Sequence, residues 1–182
     1  MTGVQTCALP ISADFGAPIA VRYPRGEAYA GLKAYRAPIV YGKCEWIYRE
    51  SEIALFALGS MVKTAEEAYG MLKEAGYSCS LINARFAKPL DEEALREAAR
   101  SHRLIVTLEE NVVNGGFGEH ITRFYNAQGE PVTVLIIAIP DAYVEHGNVD
   151  ILRSELGIDA KSVAERTKEA YRKLTGDRKS VV

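Results

Sequence analysis

Two arginines bracket a Pro-Gly turn in Arg22-Tyr23-Pro24-Arg25-Gly26, where the apolar run Pro18 to Tyr23 ends. A guanidinium presents planar, paired N–H donors, so two of them around one turn suit a phosphate or a carboxylate. A second cluster is Asn114-Gly115-Gly116-Phe117-Gly118, which follows Glu109-Glu110-Asn111. If a helix begins there, its free backbone amides form an anion site. Glycines that permit a tight turn and close packing are the simpler explanation, and the preferred one. Three carboxylate-rich turns, Glu109-Glu110, Asp91 to Glu93, and Asp141 with Glu145, are expected where strands end. That is the edge at which open α/β sheets bind ligands, although Asp91 is sufficiently explained as a helix cap. His146 lies in a loop without a second ligand or nucleophile, and His102 and His120 are placed on helix surfaces, so none is given a role. The sequence contains no GxSxG, Walker-type, HExxH or GxGxxG motif.

The elements that must position these residues are read from periodicity. The runs Ile53 to Leu58, Cys79 to Asn83, Leu104 to Leu108 and Thr133 to Ala138 are apolar nearly throughout rather than alternating, as in strands of a parallel sheet covered on both faces. Their spacing leaves room for one helix between each pair. Val62, Ala65, Tyr69 and Leu72 recur at helical spacing after Ser60, a candidate N-cap. Asp91 caps the second helix, with Leu90 and Leu95 as a hydrophobic staple, and Ile121, Phe124 and Tyr125 share a face of the third. Asn148 starts a short helix that Gly157 ends; Asp159 starts another, with an Ile158/Val163 staple. Cys44 to Arg49 precedes the first parallel strand across a link too short for a crossover, so it pairs antiparallel at an edge. The expected fold is a three-layer α/β domain over about residues 43–176 with a five-stranded, mostly parallel sheet. The run Pro18 to Tyr23 reads as a buried strand, but it has no partner in that sheet and is separated from it by irregular chain, so it is assigned to a neighbouring domain.

Composition excludes several classes of function. Of 182 residues, 48% are hydrophobic and 25% charged, which is ordinary for a globular domain. Twenty-two Lys and Arg against 24 Asp and Glu are interspersed, leaving a net charge of −2 and no basic footprint for nucleic acid. No apolar run approaches the roughly 20 residues of a membrane span. Cys7, Cys44 and Cys79 form no CxxC pair or Cys/His cluster, so reduced cytoplasmic thiols are expected, without a disulfide framework or zinc site. Both ends read as foreign. Residues 1–12 and 177–182 resemble, on reverse translation, reading frames of paired sequencing-adapter oligonucleotides, so the native sequence is expected over residues 13–176.

Several of these stretches resemble one family. RYPRG (22–26), the GSM turn (59–61), NARFAKPLD (83–91), TLEENVVNGGFG (107–118), IPDAYVEHG (139–147) and ELGIDA (155–160) together resemble the carboxyl-terminal part of the 1-deoxy-D-xylulose-5-phosphate synthases, within the transketolase superfamily. The resemblance covers residues 17–175 in order. It implies an enzyme of three α/β domains that uses thiamine diphosphate and Mg2+ to join pyruvate, with loss of CO2, to glyceraldehyde 3-phosphate, acting as a cytoplasmic homodimer. It further implies that residues 13–26 are the last strand of the central, pyrimidine-binding domain, 27–42 a linker, and 43–176 the carboxyl-terminal domain. Of the family's substrate residues only Arg25 is matched, as a ligand of the aldehyde's phosphate; Arg22 and Tyr23 are its structural neighbours. The cofactor-binding, metal-binding and catalytic residues have no counterpart in this sequence, so the chain alone is expected to be inactive and to bind no cofactor. Two alternatives stay open: a free-standing module that binds a partner or small anion through the GGFG and EEN edge, and a separately encoded subunit of a split thiamine diphosphate enzyme.

Overall fold

The computed structural model describes residues 12, 15–22, 29–35 and 37–176. Among residues 37–176, five strands and five helices follow one another: β1 Glu45–Tyr48, β2 Glu52–Ala57, α1 Met61–Glu74, β3 Cys79–Asn83, α2 Glu92–Ser101, β4 His102–Val112, α3 Phe117–Gln128, β5 Thr133–Ile139, α4 Val149–Glu155 and α5 Ala160–Thr175. The sheet order is β1-β3-β2-β4-β5, with β1 antiparallel to β3 and every other pair parallel. The antiparallel edge strand is therefore where the short link required it. Its partner is β3 rather than the consecutive β2, because Ser80 of β3 binds both backbone groups of Glu50 and draws the link across the start of β3.

The continuous apolar runs resolve into two buried faces. Ile53, Leu55, Ala57, Leu81, Leu104, Val106 and Leu108 pack with Met61, Ala65 and Leu72 of α1 and Val163 and Ala164 of α5. The alternate residues Ala54, Phe56, Ile82 and Ile105 pack with Leu95 and Ala98 of α2 and Phe117, Ile121 and Tyr125 of α3. A strand apolar at every position is thus a strand with helices on both sides. The caps follow the local rules: Asp91 accepts from the Ala94 amide, Asn148 from Asp150 and Ile151, and Asp159 from Lys161 and Ser162. The staple residues Leu95, Ile158 and Val163 are buried. Ser60 is the exception, since it stands at the N-cap of α1 but its side chain makes no capping bond.

Three expectations are corrected. His102 is not on a helix surface. It opens β4 and is 4% exposed, with Nδ1 2.9 Å from the Ala98 carbonyl and Nε2 2.8 Å from Ser80 Oγ. Glu109 and Glu110 are not in a turn, because β4 runs eleven residues and carries them within the strand. The buried strand expected over Pro18 to Tyr23 is the third: residues 18–22 lie exposed outside the sheet and form no strand, because the segment has no pairing partner there, and Tyr23 lies outside the described residues. The irregular chain before β1 is nonetheless fastened. Arg85 donates to the carbonyls of Ala37 (3.0 Å) and Pro38 (3.3 Å) and pairs with Glu45 at 2.5 Å. The Tyr35 ring packs edge-on against Tyr48.

Candidate functional site: the carboxyl edge of the sheet

The carboxyl end of β4 gathers some of the residues that the sequence singled out. Glu109 is fully buried, and its carboxylate accepts the amides of Phe117 and Gly118, each at 2.8 Å. A carboxylate at a helix N-terminus satisfies orphan N–H groups and complements the helix dipole. The neighbouring amides are also engaged: Gly115 donates to the Glu119 carboxylate, and Gly116 to the Val113 carbonyl at 3.2 Å. The anion site that GGFG offers is filled by the protein's own Glu109. Gly116 and Gly118 are required by packing, since a Cβ on Gly116 would lie 2.6 Å from the Val112 carbonyl oxygen and one on Gly118 would lie 2.4 Å from Thr107 Oγ1, whereas Gly115 is favoured by its positive φ of 71°.

Glu110 points to the other side and ties three elements together. Its carboxylate accepts from Ser60 Oγ at 2.6 Å and from Arg153 Nε and a terminal Arg153 nitrogen at 3.0 and 2.8 Å. The hydroxyl expected to cap α1 is thus spent on β4, and Arg153 of α4, which no local pattern marked, closes the group. Arg22 joins from outside the domain. One of its terminal nitrogens donates to the Glu110 carbonyl at 3.0 Å and the other to Asn111 Oδ1. Asp91 is held as well. Burial pushes its carboxyl up, but N–H bonds from Cys44 and Ala94, with Lys43 beside it, more than offset this and keep it below the usual carboxylate range.

The remaining candidates do not converge. Asp141 accepts from the Asn114 amide at 2.8 Å, while Glu145 and His146 are exposed on the loop between β5 and α4. His120 lies on α3, and Arg25 falls outside the described residues. Among the described residues no group of His, Cys, Asp or Glu side chains converges to hold a metal ion. With the glycine-rich helix terminus occupied by Glu109 as well, these residues do not fit thiamine diphosphate or its metal. No helix among the described residues is long and apolar enough to cross a membrane.

Fold and site define a three-layer α/β domain whose carboxyl sheet edge is occupied by its own side chains, with Arg22 bonded to the end of β4. The chain matches the family model "Transketolase, C-terminal domain" over residues 42–163 and belongs to that family. Among curated proteins it is similar to 1-deoxy-D-xylulose-5-phosphate synthase of Lachnoclostridium phytofermentans, 47% identical over 156 residues, which is 84% of this chain and 25% of the relative. The synthase of Heliobacterium modesticaldum is 40% identical over 157 residues, 86% of this chain and 24% of that one. The chain therefore spans about a quarter of the length of the curated relatives it matches. Among solved structures, a split-gene transketolase described as an inactive beta4 tetramer superposes with a TM-score of 0.85 at 25% identity, covering 95% of this chain and 56% of that one. A transketolase from Campylobacter jejuni shares the fold, with a TM-score of 0.53 at 14% identity over 70% of this chain and 18% of that one.

Proposed function

We propose that this chain supplies the carboxyl-terminal part of a 1-deoxy-D-xylulose-5-phosphate synthase. Such an enzyme condenses pyruvate with glyceraldehyde 3-phosphate and releases CO2, feeding isoprenoid and thiamine synthesis. The observation that carries the reading is the 47% identity over 156 residues to a protein of that name. Residues 13–26 are then the last part of the central domain, 27–42 the linker and 43–176 the terminal domain. Within the assembled enzyme, a cytoplasmic homodimer, thiamine diphosphate and Mg2+ supply the carbanion chemistry and are held by residues outside this chain. Arg25 is this chain's contribution to substrate, binding the phosphate of glyceraldehyde 3-phosphate through charge-assisted hydrogen bonds. The chain by itself performs no chemistry.

A free-standing anion-binding module is disfavoured, because the amides of Phe117 and Gly118 already bond Glu109. A separately encoded subunit draws support from the similarity to a split-gene transketolase over 95% of this chain. One experiment addresses both readings. Residues 13–176 replace the matching carboxyl-terminal quarter of the Lachnoclostridium phytofermentans synthase, once as a fusion and once as a separate co-expressed chain. Product formation from pyruvate and glyceraldehyde 3-phosphate in the fusion supports the synthase assignment; activity from the separate chains as well supports the split form. A folded, cofactor-loaded fusion without activity would overturn the assignment.

A further inference from the structure

The amino edge of the sheet holds a buried histidine to which the proposed function gives no part. His102 opens β4 and Ser80 is the second residue of β3, and they are 4% and 0% exposed. Nδ1 of the ring lies 2.9 Å from the Ala98 carbonyl in the last turn of α2, and Nε2 lies 2.8 Å from Ser80 Oγ. Ser80 Oγ also accepts the Glu50 amide at 2.8 Å and lies 3.1 Å from the Glu50 carbonyl, on the link between β1 and β2.

Counting protons shows what this arrangement is built to hold. A neutral imidazole has one N–H and Ser80 one O–H. With the ring proton on Nδ1, it bonds Ala98; the Ser80 proton then goes to the Nε2 lone pair, and the Glu50 carbonyl loses its donor. With the ring proton on Nε2, the Nδ1 lone pair is set 2.9 Å from a carbonyl oxygen with no proton between them, even though Ser101 Oγ at 3.0 Å can donate to it. An imidazolium has neither defect, because Nδ1–H bonds Ala98, Nε2–H bonds Ser80 Oγ, and the Ser80 hydroxyl is free for Glu50. Burial pushes the ring towards the neutral form; the Ala98 and Glu50 carbonyls, then the charges of Glu52 and Glu97, pull the other way. Glu52 of β2 stands in register with His102 and accepts from the Tyr171 hydroxyl of α5. Glu97 of α2 pairs with Arg49, whose guanidinium stacks on the Trp46 ring of β1, itself 6.1 Å from the imidazole. The Glu50 carboxylate is taken by Lys73 of α1.

We propose that His102 is a proton-binding site. Uptake of one proton from solvent by Nε2 turns the Ser80 hydroxyl from the ring onto the Glu50 carbonyl and ties the β1–β2 link to β3. The inference does not depend on the synthase reading.

The test follows the 182-residue chain by 15N NMR from about pH 8 down to the onset of acid unfolding. The ring nitrogens should report an Nδ1–H tautomer at the upper end. As they titrate, the Ser51 amide, which follows the Glu50 carbonyl in the chain, should move downfield with the same midpoint. In Ser80→Ala the ring midpoint should fall by about one pH unit, because the imidazolium loses a hydrogen bond, and Ser51 should no longer follow it. Ser80→Thr keeps the hydroxyl and should retain both responses. Glu50→Gln removes the neighbouring carboxyl as a source of the signal, and the Ser51 step should persist. An Nε2–H tautomer in the parent chain, or a ring that stays neutral until the chain unfolds, would overturn the proposal without recourse to any variant. So would a Ser51 amide that ignores the ring, that follows it equally in Ser80→Ala, or that loses its step in Glu50→Gln.

Discussion

Replacing Glu109 with glutamine tests whether the GGFG turn is a structural joint closed by an internal carboxylate. The two oxygens of Glu109 each accept one amide of the first turn of α3 at 2.8 Å, and none of the side chain is exposed. Glutamine keeps one acceptor and places an NH2 group against the second N–H. One charge-assisted pair becomes a neutral bond, and one buried donor is left unmade at a cost of about 1–3 kcal/mol. Losing the negative charge from the helix N-terminus removes about another 0.3–1 kcal/mol. Escape from burying a charge offsets part of this, so the net expected loss is about 2–3 kcal/mol. With a urea dependence of about 1–3 kcal/mol per molar, the unfolding midpoint should fall by roughly 1–2 M at unchanged slope. Glu110→Gln serves as the control. Its carboxylate pair with Arg153 is about a quarter exposed on either side, 28% and 25%, and should cost less than about 1 kcal/mol. A Glu109→Gln loss no larger than that of the control would refute the assignment of Glu109 as the internal anion of this helix.

Gly118→Ala should cost about 1–3 kcal/mol by overpacking, because the new methyl meets Thr107 Oγ1 at 2.4 Å and Ile136 Cγ2 at 2.7 Å. Thr107 Oγ1 is buried without a hydrogen bond, so Thr107→Ala should relieve part of that loss, and strict additivity in the double-mutant cycle would contradict the contact. Burial pushes the His102 imidazole below its ordinary value near 6.5. The unfolded chain therefore binds more protons, and stability that is complete above about pH 6.5 should decline as pH falls below it. Replacing His102 with Gln should flatten that part of the profile, leaving the decline below about pH 4 in which Glu50, held low chiefly by Lys73, and Asp91 lose their depressed values. In calorimetry with Mg2+, the 182-residue chain should show no thiamine diphosphate binding tighter than about 100 μM; tighter binding would contradict the assignment of cofactor residues to the rest of the enzyme.

What was legible in the sequence was local. Asp91, Asn148 and Asp159 cap the helices that follow them because an N-cap is decided within three residues, and the four apolar runs read as doubly covered strands because burial on both faces leaves no polar register. The site was not legible in the same way. Glu109 serves a helix that begins eight residues later, Glu110 meets Arg153 from forty-three residues away, and Arg22 reaches across eighty-eight to Glu110. No periodicity marks such pairs. His102 was misplaced because Glu92 to Ser101 is a helix whose polar pattern continues into it; the ring turns inward only because the Ala98 carbonyl and Ser80 hydroxyl receive it. The preference for packing over anion binding at GGFG came from the general behaviour of glycine, and the Cβ contacts at Gly116 and Gly118 supply its particular reason.

The most direct test of the proposed function compares two acceptors in the rebuilt synthase carrying Arg25→Ala. A guanidinium on a dianionic phosphate contributes about 1.5–3 kcal/mol, so kcat/KM for glyceraldehyde 3-phosphate should fall roughly 10- to 150-fold while turnover of unphosphorylated glyceraldehyde changes little. Arg25→Lys should recover only part of the loss, since a point charge lacks the planar fork. An equal penalty with both acceptors would show that Arg25 holds the fold rather than the phosphate, and would contradict the account.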